Sequence, residues 1–161
     1  MIFGFLKPPP LSPRLTRLRE TVLLNSLTPL ELKIVDGLMH ERRYLAGEII
    51  FDEGEEGQAL YLITAGHVQI NRNINGMPEI ITELSPGAFF GDLALLDNSP
   101  RTAQARAWDD CELAVFFRAD FMSLMETDAV IGYKISLALA RHIGSRLRER
   151  MSIDSPHIEV L

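Results

Sequence analysis

FFGDLALLDNSPRTAQARA, residues 89–107, is the stretch whose reading decides the fold. The turn Ser85-Pro86-Gly87 leads into it, and Gly91-Asp92 opens a short apolar run, Leu93-Ala94-Leu95-Leu96. A polar break at Asp97-Asn98-Ser99-Pro100 separates that run from Arg101-Thr102 and from a segment in which Ala103, Ala105 and Ala107 alternate with polar residues. Gly91 lets the backbone come close to a ligand, and the first turn of a short helix after it leaves N–H groups near Leu93, Ala94 and Leu95 for an anion. Arg101 is placed to give a phosphate a forked pair of charge-assisted hydrogen bonds, or else to form a structural ion pair with Asp92 or Asp97. The three alanines, on one strand face, leave space beneath the anion. The stretch reads as a phosphate pocket built into β-structure.

Around it the chain has strand character. Residues 48–51, 59–64, 68–74, 79–84, 102–107 and 112–117 are short apolar or alternating runs. Turn residues separate them: Ala46-Gly47, Gly54 with Gly57, Ala65-Gly66, Asn75-Gly76 and Ser85-Pro86-Gly87. Asn75-Gly76 is the strongest hairpin signal, because both central residues of a type I′ turn need positive φ. Many short strands at even spacing predict an α+β fold, mainly β, built on a jelly-roll sandwich whose inner face is buried and one end open.

Helices flank the strands. Leu15, Leu18, Val22 and Leu23 have helical spacing. Thr28-Pro29-Leu30-Glu31 is a helix start, with Thr28 as cap, proline at the first position and Glu31 closing a capping box. Leu30, Ile34, Leu38 and Met39 supply its apolar face, and it should end near His40. A short helix is expected over 119–126, then a long one capped by Thr127 or Asp128 and running to about Ser152. Ile131, Ile135, Ala138 and Leu139 would lie on the roll. A second stripe, Tyr133, Leu137, Ala140, Gly144, Leu147 and Met151, steps by four and three, the spacing of a coiled-coil seam. Either a second copy of the chain covers it, giving a homodimer, or residues 14–25 fold back over it.

The 161 residues divide into an N-terminal tail (1–13), one domain (14–152: helical 14–41, β-roll 42–118, C-terminal helices 119–152) and a tail (153–161). An apolar content of 47% suffices for a normal core, and a net charge of −6 speaks against a general nucleic-acid binder. One cysteine, Cys111, excludes a disulfide framework and reads as a buried thiol. No run approaches the ~18 apolar residues of a membrane span, and the apolar tip is cut short by Lys7-Pro8-Pro9-Pro10, too soon for a signal-peptide core, so a cytoplasmic protein is expected. His40, His67, His142 and His157 are scattered without metal-ligand spacing, and no nucleophile elbow, P-loop or kinase signature is present. No metal, cofactor or catalytic residue is expected. Gly54-Glu55-Glu56-Gly57 is acidic and reads as a connecting turn.

The wording of residues 89–107 resembles the phosphate-binding cassette of the cyclic nucleotide-binding domain family, whose pattern is roughly Phe-Gly-Glu-x-Ala-Leu, a few residues, then Arg-(Ser/Thr/Ala)-Ala. Phe90, Gly91, Ala94, Leu95, Arg101, Thr102 and Ala103 fall on it, and Asp92 stands where the family usually has Glu. The resemblance extends over about residues 24–150. It implies a β-roll that binds cyclic AMP or cyclic GMP and passes the signal through its helices. It assigns the phosphate to Arg101, Thr102, Ala103, Leu93 and Ala94, and the ribose to Gly91 and Asp92. The base falls to Ile81, Leu84 and Arg146, the last by stacking on a purine face. Asp reaches about 1.5 Å less far than Glu, so Asp92 either binds the ribose weakly, serves a differently shaped nucleotide, caps the helix of 93–96, or marks a pocket that no longer binds. Thr102 does not choose the base, since Ser or Thr here is compatible with either nucleotide. Two functions remain: a sensor that signals through its last helix to a homodimer mate or an effector protein that the sequence does not name, or a non-binding interaction module on the same fold. Only about ten residues follow Arg150, too few for a helix-turn-helix, so DNA binding by this chain alone is not expected.

Overall fold

The computed structural model describes residue 7 and residues 9–154; the apolar tip and the end of the C-terminal tail lie outside them. In chain order the elements are α1 (Pro13–Arg19), α2 (Pro29–Asp36), β1 (His40–Tyr44), β2 (Ile49–Phe51), β3 (Ala59–Ala65), β4 (Val68–Ile74), β5 (Met77–Leu84), β6 (Phe89–Phe90), a 3-10 helix (Asp92–Leu95), β7 (Gln104–Ala107), β8 (Cys111–Phe117), α3 (Arg118–Thr127) and α4 (Ala129–Asp154). Among the described residues the strands form two antiparallel sheets, β1-β8-β3-β6 and β2-β7-β4-β5. This is the jelly-roll sandwich with helices at its side.

The two sheets differ in burial, and the sequence shows why. β3 (ALYLITA) and β8 (CELAVFF) are apolar on both faces because the first sheet is covered on both. One face meets the second sheet through Ile63, Phe90, Cys111 and Leu113 against Phe51, Val68, Ala105 and Ala107. The other face, with Leu60, Leu62, Ala114 and Phe116, meets the helices through Leu15, Leu18, Leu24, Leu32, Phe121, Ile131, Ile135 and Leu139. Truncating a fully buried side chain such as Leu60 should cost about 2–5 kcal/mol. Cys111 is buried in the inner core, where burial first and Asp109 next push its thiol up to about 11. The second sheet's β5 is open to solvent over nearly its whole length.

Local chemistry fixes the connections. Asn75 and Gly76 both have positive φ, 53° and 81°, and Ile74 pairs with Met77, so the β4–β5 hairpin has the two-residue turn its sequence predicts. Thr28 forms the capping box: its hydroxyl accepts from the Glu31 N–H and the Glu31 carboxylate accepts from the Thr28 N–H. Glu31 also accepts from Lys134 Nζ at 2.8 Å, which holds its carboxyl below the usual range and ties α2 to α4. Asp128 caps α4 by accepting from the Ile131 N–H, whereas Thr127 bonds back into α3.

Several expectations are corrected. α2 ends at Asp36, and its inward face is Leu32 and Val35; Leu30 and Ile34 are exposed. The strand region begins at His40, inside the segment expected to be helical, because β1 (HERRY) pairs with β8 through its backbone while its side chains, except half-buried Tyr44, stay outside. α3 and α4 run slightly beyond their expected bounds. β7 starts at Gln104, and Ala105 and Ala107 face the inner core, where their small size admits Phe51 and Phe90; among the three alanines Ala103 borders open space. α1 and the turn after it pack on the helical core and do not fold back over the second stripe of α4, where Tyr133, Leu147 and Met151 are exposed.

Candidate functional site

The open end of the roll holds a cavity of about 550 Å³, within the range of small-molecule sites, about 300–1,000 Å³. Its walls bring together the residues that the family resemblance assigns to the ligand, Gly91, Asp92, Leu93, Ala94, Arg101, Thr102, Ala103, Ile81, Leu84 and Arg146, whereas Leu95 is buried behind them.

Arg101 is the centre of the site. It is 8% exposed, and its guanidinium lies over the Phe51 ring, 4.1 Å from the centroid, with Tyr61 farther out at 5.6 Å. Nη2 donates to the Ala59 carbonyl at 2.8 Å and Nη1 to the Gly91 carbonyl at 3.2 Å. Nε is buried and has no partner among the described residues. Among the described residues no carboxylate pairs with this side chain, so the ion pair with Asp92 or Asp97 that its charge allowed is absent. Burial pulls its pKa below the ordinary arginine value, while Tyr61, Glu55 and Asp92 oppose that shift; a guanidinium keeps its proton regardless. Its own backbone is fastened at both ends: the Arg101 N–H donates to the Glu55 carbonyl and the Arg101 carbonyl accepts from Gly54. The acidic turn 54–57 is thus a brace for the arginine.

Gly91 has φ +72° and caps the 3-10 helix; a Cβ there would lie 2.5 Å from Arg101 Nη1. The position therefore needs glycine twice over, for its left-handed backbone and for the guanidinium packed on it. In the helix, the Ala94 N–H already donates to the Gly91 carbonyl. The N–H groups at its start, Asp92 and Leu93, precede the first 3-10 bond.

Asp92 does not cap the helix; Gly91 occupies the cap and no side-chain bond is made there. Its buried carboxylate instead accepts from Arg146 Nη1 on α4, at 3.1 Å through Oδ1 and 3.2 Å through Oδ2. Ile81 and Leu84 on β5 form the apolar wall opposite the cassette.

Other wall residues carry no motif. Phe51 supports the guanidinium, with Tyr61 behind the wall, Arg72 on β4 donates through Nε to the Thr102 carbonyl at 3.2 Å, and His142 packs on Phe89 with 4.5 Å between ring centroids. The one legible signal was periodic: His142 and Arg146 are four apart, so one face of α4 presents both. Among the described residues no group of three or more His, Cys, Asp or Glu side chains is set to hold a metal ion, and no helix is long and apolar enough to cross a membrane.

Comparison with known proteins agrees with this geometry. The family model described as cyclic nucleotide-binding domain matches residues 41–128. The cyclic AMP receptor protein of Thermus thermophilus is 35% identical over 133 residues, 82% of this chain and 60% of that protein. The regulatory domain of Toxoplasma gondii PKA, solved with cAMP, superposes with a TM-score of 0.64 at 32% identity, covering 69% of this chain and 42% of that one. A cyclic nucleotide-binding domain from Methylobacillus flagellatus shares the fold, with a TM-score of 0.78 at 23% identity over 92% of this chain and 85% of that one. The chain spans 60% or less of the length of the first two relatives.

Proposed function

Because this chain belongs to the cyclic nucleotide-binding domain family, we propose that its cavity takes a cyclic mononucleotide, cAMP or cGMP, and that occupancy is passed on through α4 to a homodimer mate or an effector protein. The observation that carries this reading is the orphaned Nε of Arg101. A buried donor without an acceptor costs about 1–3 kcal/mol, and a phosphate oxygen entering from the adjoining cavity relieves that cost with a charge-assisted bond. Nη1 and Nη2 stay on the Gly91 and Ala59 carbonyls, so the guanidinium is pre-positioned and little side-chain freedom is lost on binding.

The remaining roles follow from position. Leu93, Ala94, Thr102 and Ala103 line the phosphate end beside Arg101. Gly91 and Asp92 meet the ribose. Ile81 and Leu84 offer apolar surface to the base, and Arg146 covers it from α4. No covalent step is involved. The seam of Tyr133, Leu137, Ala140, Gly144 and Leu147 gives α4 a face for a second copy, and its exposed tyrosine and leucine support that use. A ligand shifts such a helix only as far as it prefers one of its positions.

The bond between Asp92 and Arg146 favours a second reading, in which the carboxylate is already engaged and the domain serves as a non-binding interaction module. Calorimetric titration with cAMP and cGMP separates the two. Under the sensor reading wild type binds and Arg101→Ala, still folded, loses binding by at least about tenfold, the worth of one charged hydrogen bond. Absence of heat with either nucleotide at millimolar concentration would leave the module.

A further inference from the structure

Arg118, the first residue of α3, stands outside the cavity and belongs to no motif, yet its guanidinium is where the cassette is tied down. A single nitrogen, Nη1, donates to three backbone carbonyls: Gly57 at 3.1 Å, Ala94 at 3.0 Å, and Asp97. Those acceptors are 61, 24 and 21 residues away in sequence and come from two separate segments, the turn before β3 and the cassette. The Arg118 backbone N–H donates to the Gln58 carbonyl at 2.8 Å, so the residue is anchored at its root as well.

The two segments it gathers are the two sides of the slot that holds Arg101. A Cβ placed on Gly57 would lie 3.1 Å from the Ala94 Cβ and 3.1 Å from Arg101 Nε. The Gly57 backbone therefore faces both the Ala94 side chain and the orphaned donor with no room for a side chain of its own, and the carbonyls of Gly57 and Ala94 are held by the same guanidinium. Three carbonyl dipoles converging on one point repel one another unless a cation sits between them, and the guanidinium supplies that cation.

We propose that Arg118 is a positioning residue for the anion end of the cavity: it fixes the spacing between Gly57 and the 3-10 helix, and through that spacing the attitude of Arg101. This rests on the cyclic nucleotide reading for its functional consequence but not for its structural one. With the donor gone, the carbonyls of Ala94 and Asp97 turn toward water, the cassette loosens, and Arg101 loses the wall that keeps Nε aimed.

The test compares wild type with Arg118→Met, which keeps the apolar stem, and with Arg118→Lys, which keeps a charge. In ligand-free protein, amide hydrogen exchange over residues 92–98 should rise roughly tenfold or more in Arg118→Met, the loss of one charged hydrogen bond, while β3 and β8 keep wild-type protection; Arg118→Lys should restore part of the difference. Calorimetry with cAMP should show affinity falling by a similar factor and recovering partly in Arg118→Lys. Unchanged exchange over 92–98, or a rise spread evenly over both sheets, overturns the proposal. So does wild-type affinity in Arg118→Met. If wild type itself takes no cAMP or cGMP, the sensor reading fails and the exchange arm still decides the role of Arg118. Should Arg118→Met not fold, the wild-type guanidinium protons decide instead: slow exchange with water is expected, and exchange as fast as that of a free guanidinium overturns the proposal.

Discussion

Arg146, five turns along α4, reaches down to the buried carboxylate of Asp92 and holds both of its oxygens from one nitrogen. The pair joins the C-terminal helix to the cassette across the mouth of the cavity. Asp92 is 7% exposed in its side chain and Arg146 49%, so the carboxylate depends on the bond more than the guanidinium does. Substituting Arg146→Gln leaves that carboxylate short of a charged donor. Because the pair is partly solvent-screened, the expected loss of stability is modest, about 1 kcal/mol. The larger effect should be local: exchange should quicken in the turns of α4 beyond residue 142 and stay unchanged from Ile131 to Leu139, which are anchored in the helical core. Equal exchange along the whole helix in both proteins would show that the pair does not hold α4.

Asp92→Glu lengthens the carboxylate by one carbon–carbon bond, about 1.5 Å, and reaches further into the cavity. Binding of cAMP should tighten, by up to about tenfold, the worth of one improved hydrogen bond to a charged group. Calorimetry reads the change directly. A wild type that binds together with a variant that gains nothing would remove the ribose contact from Asp92.

Gly91→Ala is expected to damage the site and the fold together. The left-handed backbone at φ +72° costs an L-residue about 1–2 kcal/mol, and the new methyl would collide with Arg101 Nη1. Urea unfolding should show that loss of stability, and nucleotide affinity should fall by more than the fold does, since the arginine must leave its place. Preserved affinity would mean that Arg101 does not need the position it holds.

His142 gives the protein a pH dependence. Burial against Phe89 lowers its pKa below the ordinary 6.5; Asp92 and Glu149 oppose that shift and Arg146 adds to it. The unfolded chain then binds more protons than the folded one just below pH 6.5, so stability contributed by neutral His142 is complete above that pH and is lost as pH falls through the lowered folded value. Melting temperatures between pH 7.5 and 5 should decline more steeply in wild type than in His142→Gln. Parallel curves would contradict the assignment.

Leu147→Glu places a charge in the C-terminal half of the α4 seam, where Leu147 is 58% exposed and Tyr133 63%. Size-exclusion chromatography with light scattering should find wild type dimeric at tens of micromolar and the variant monomeric, with unchanged circular dichroism. A monomeric wild type ends the dimer proposal.

Much of this was readable from residues whose chemistry is local. Asn75-Gly76 dictates its turn, Thr28 its cap, and the spacing of Gly91 and Arg101 puts both on one cavity. What stayed hidden depends on partners distant in sequence. β1 is a polar pentapeptide that becomes a strand because β8 offers it a ladder. The inward face of α2 is set by the leucines of α1 and the following turn, which a two-turn helix is too short to announce by periodicity. Phe51, Tyr61 and Arg118 belong to the site through contacts with Arg101 and with three carbonyls, and no spacing along the chain marks such contacts.

The two phenylalanines just ahead of Gly91 point to opposite sides of their strand. Phe90 stacks on Tyr61 in the inner core, 5.2 Å between centroids, and Phe89 packs on His142 of α4 in the helical layer. Strand alternation alone sends neighbouring side chains to opposite faces, so one peptide unit serves as the fulcrum between the aromatic bed of Arg101 and the C-terminal helix. A tilt of that unit displaces a ring in each layer at once, in opposite senses. The aromatic bed of Arg101 and the C-terminal helix are therefore joined through two neighbouring residues of one short strand, beside the bond that Asp92 makes to Arg146.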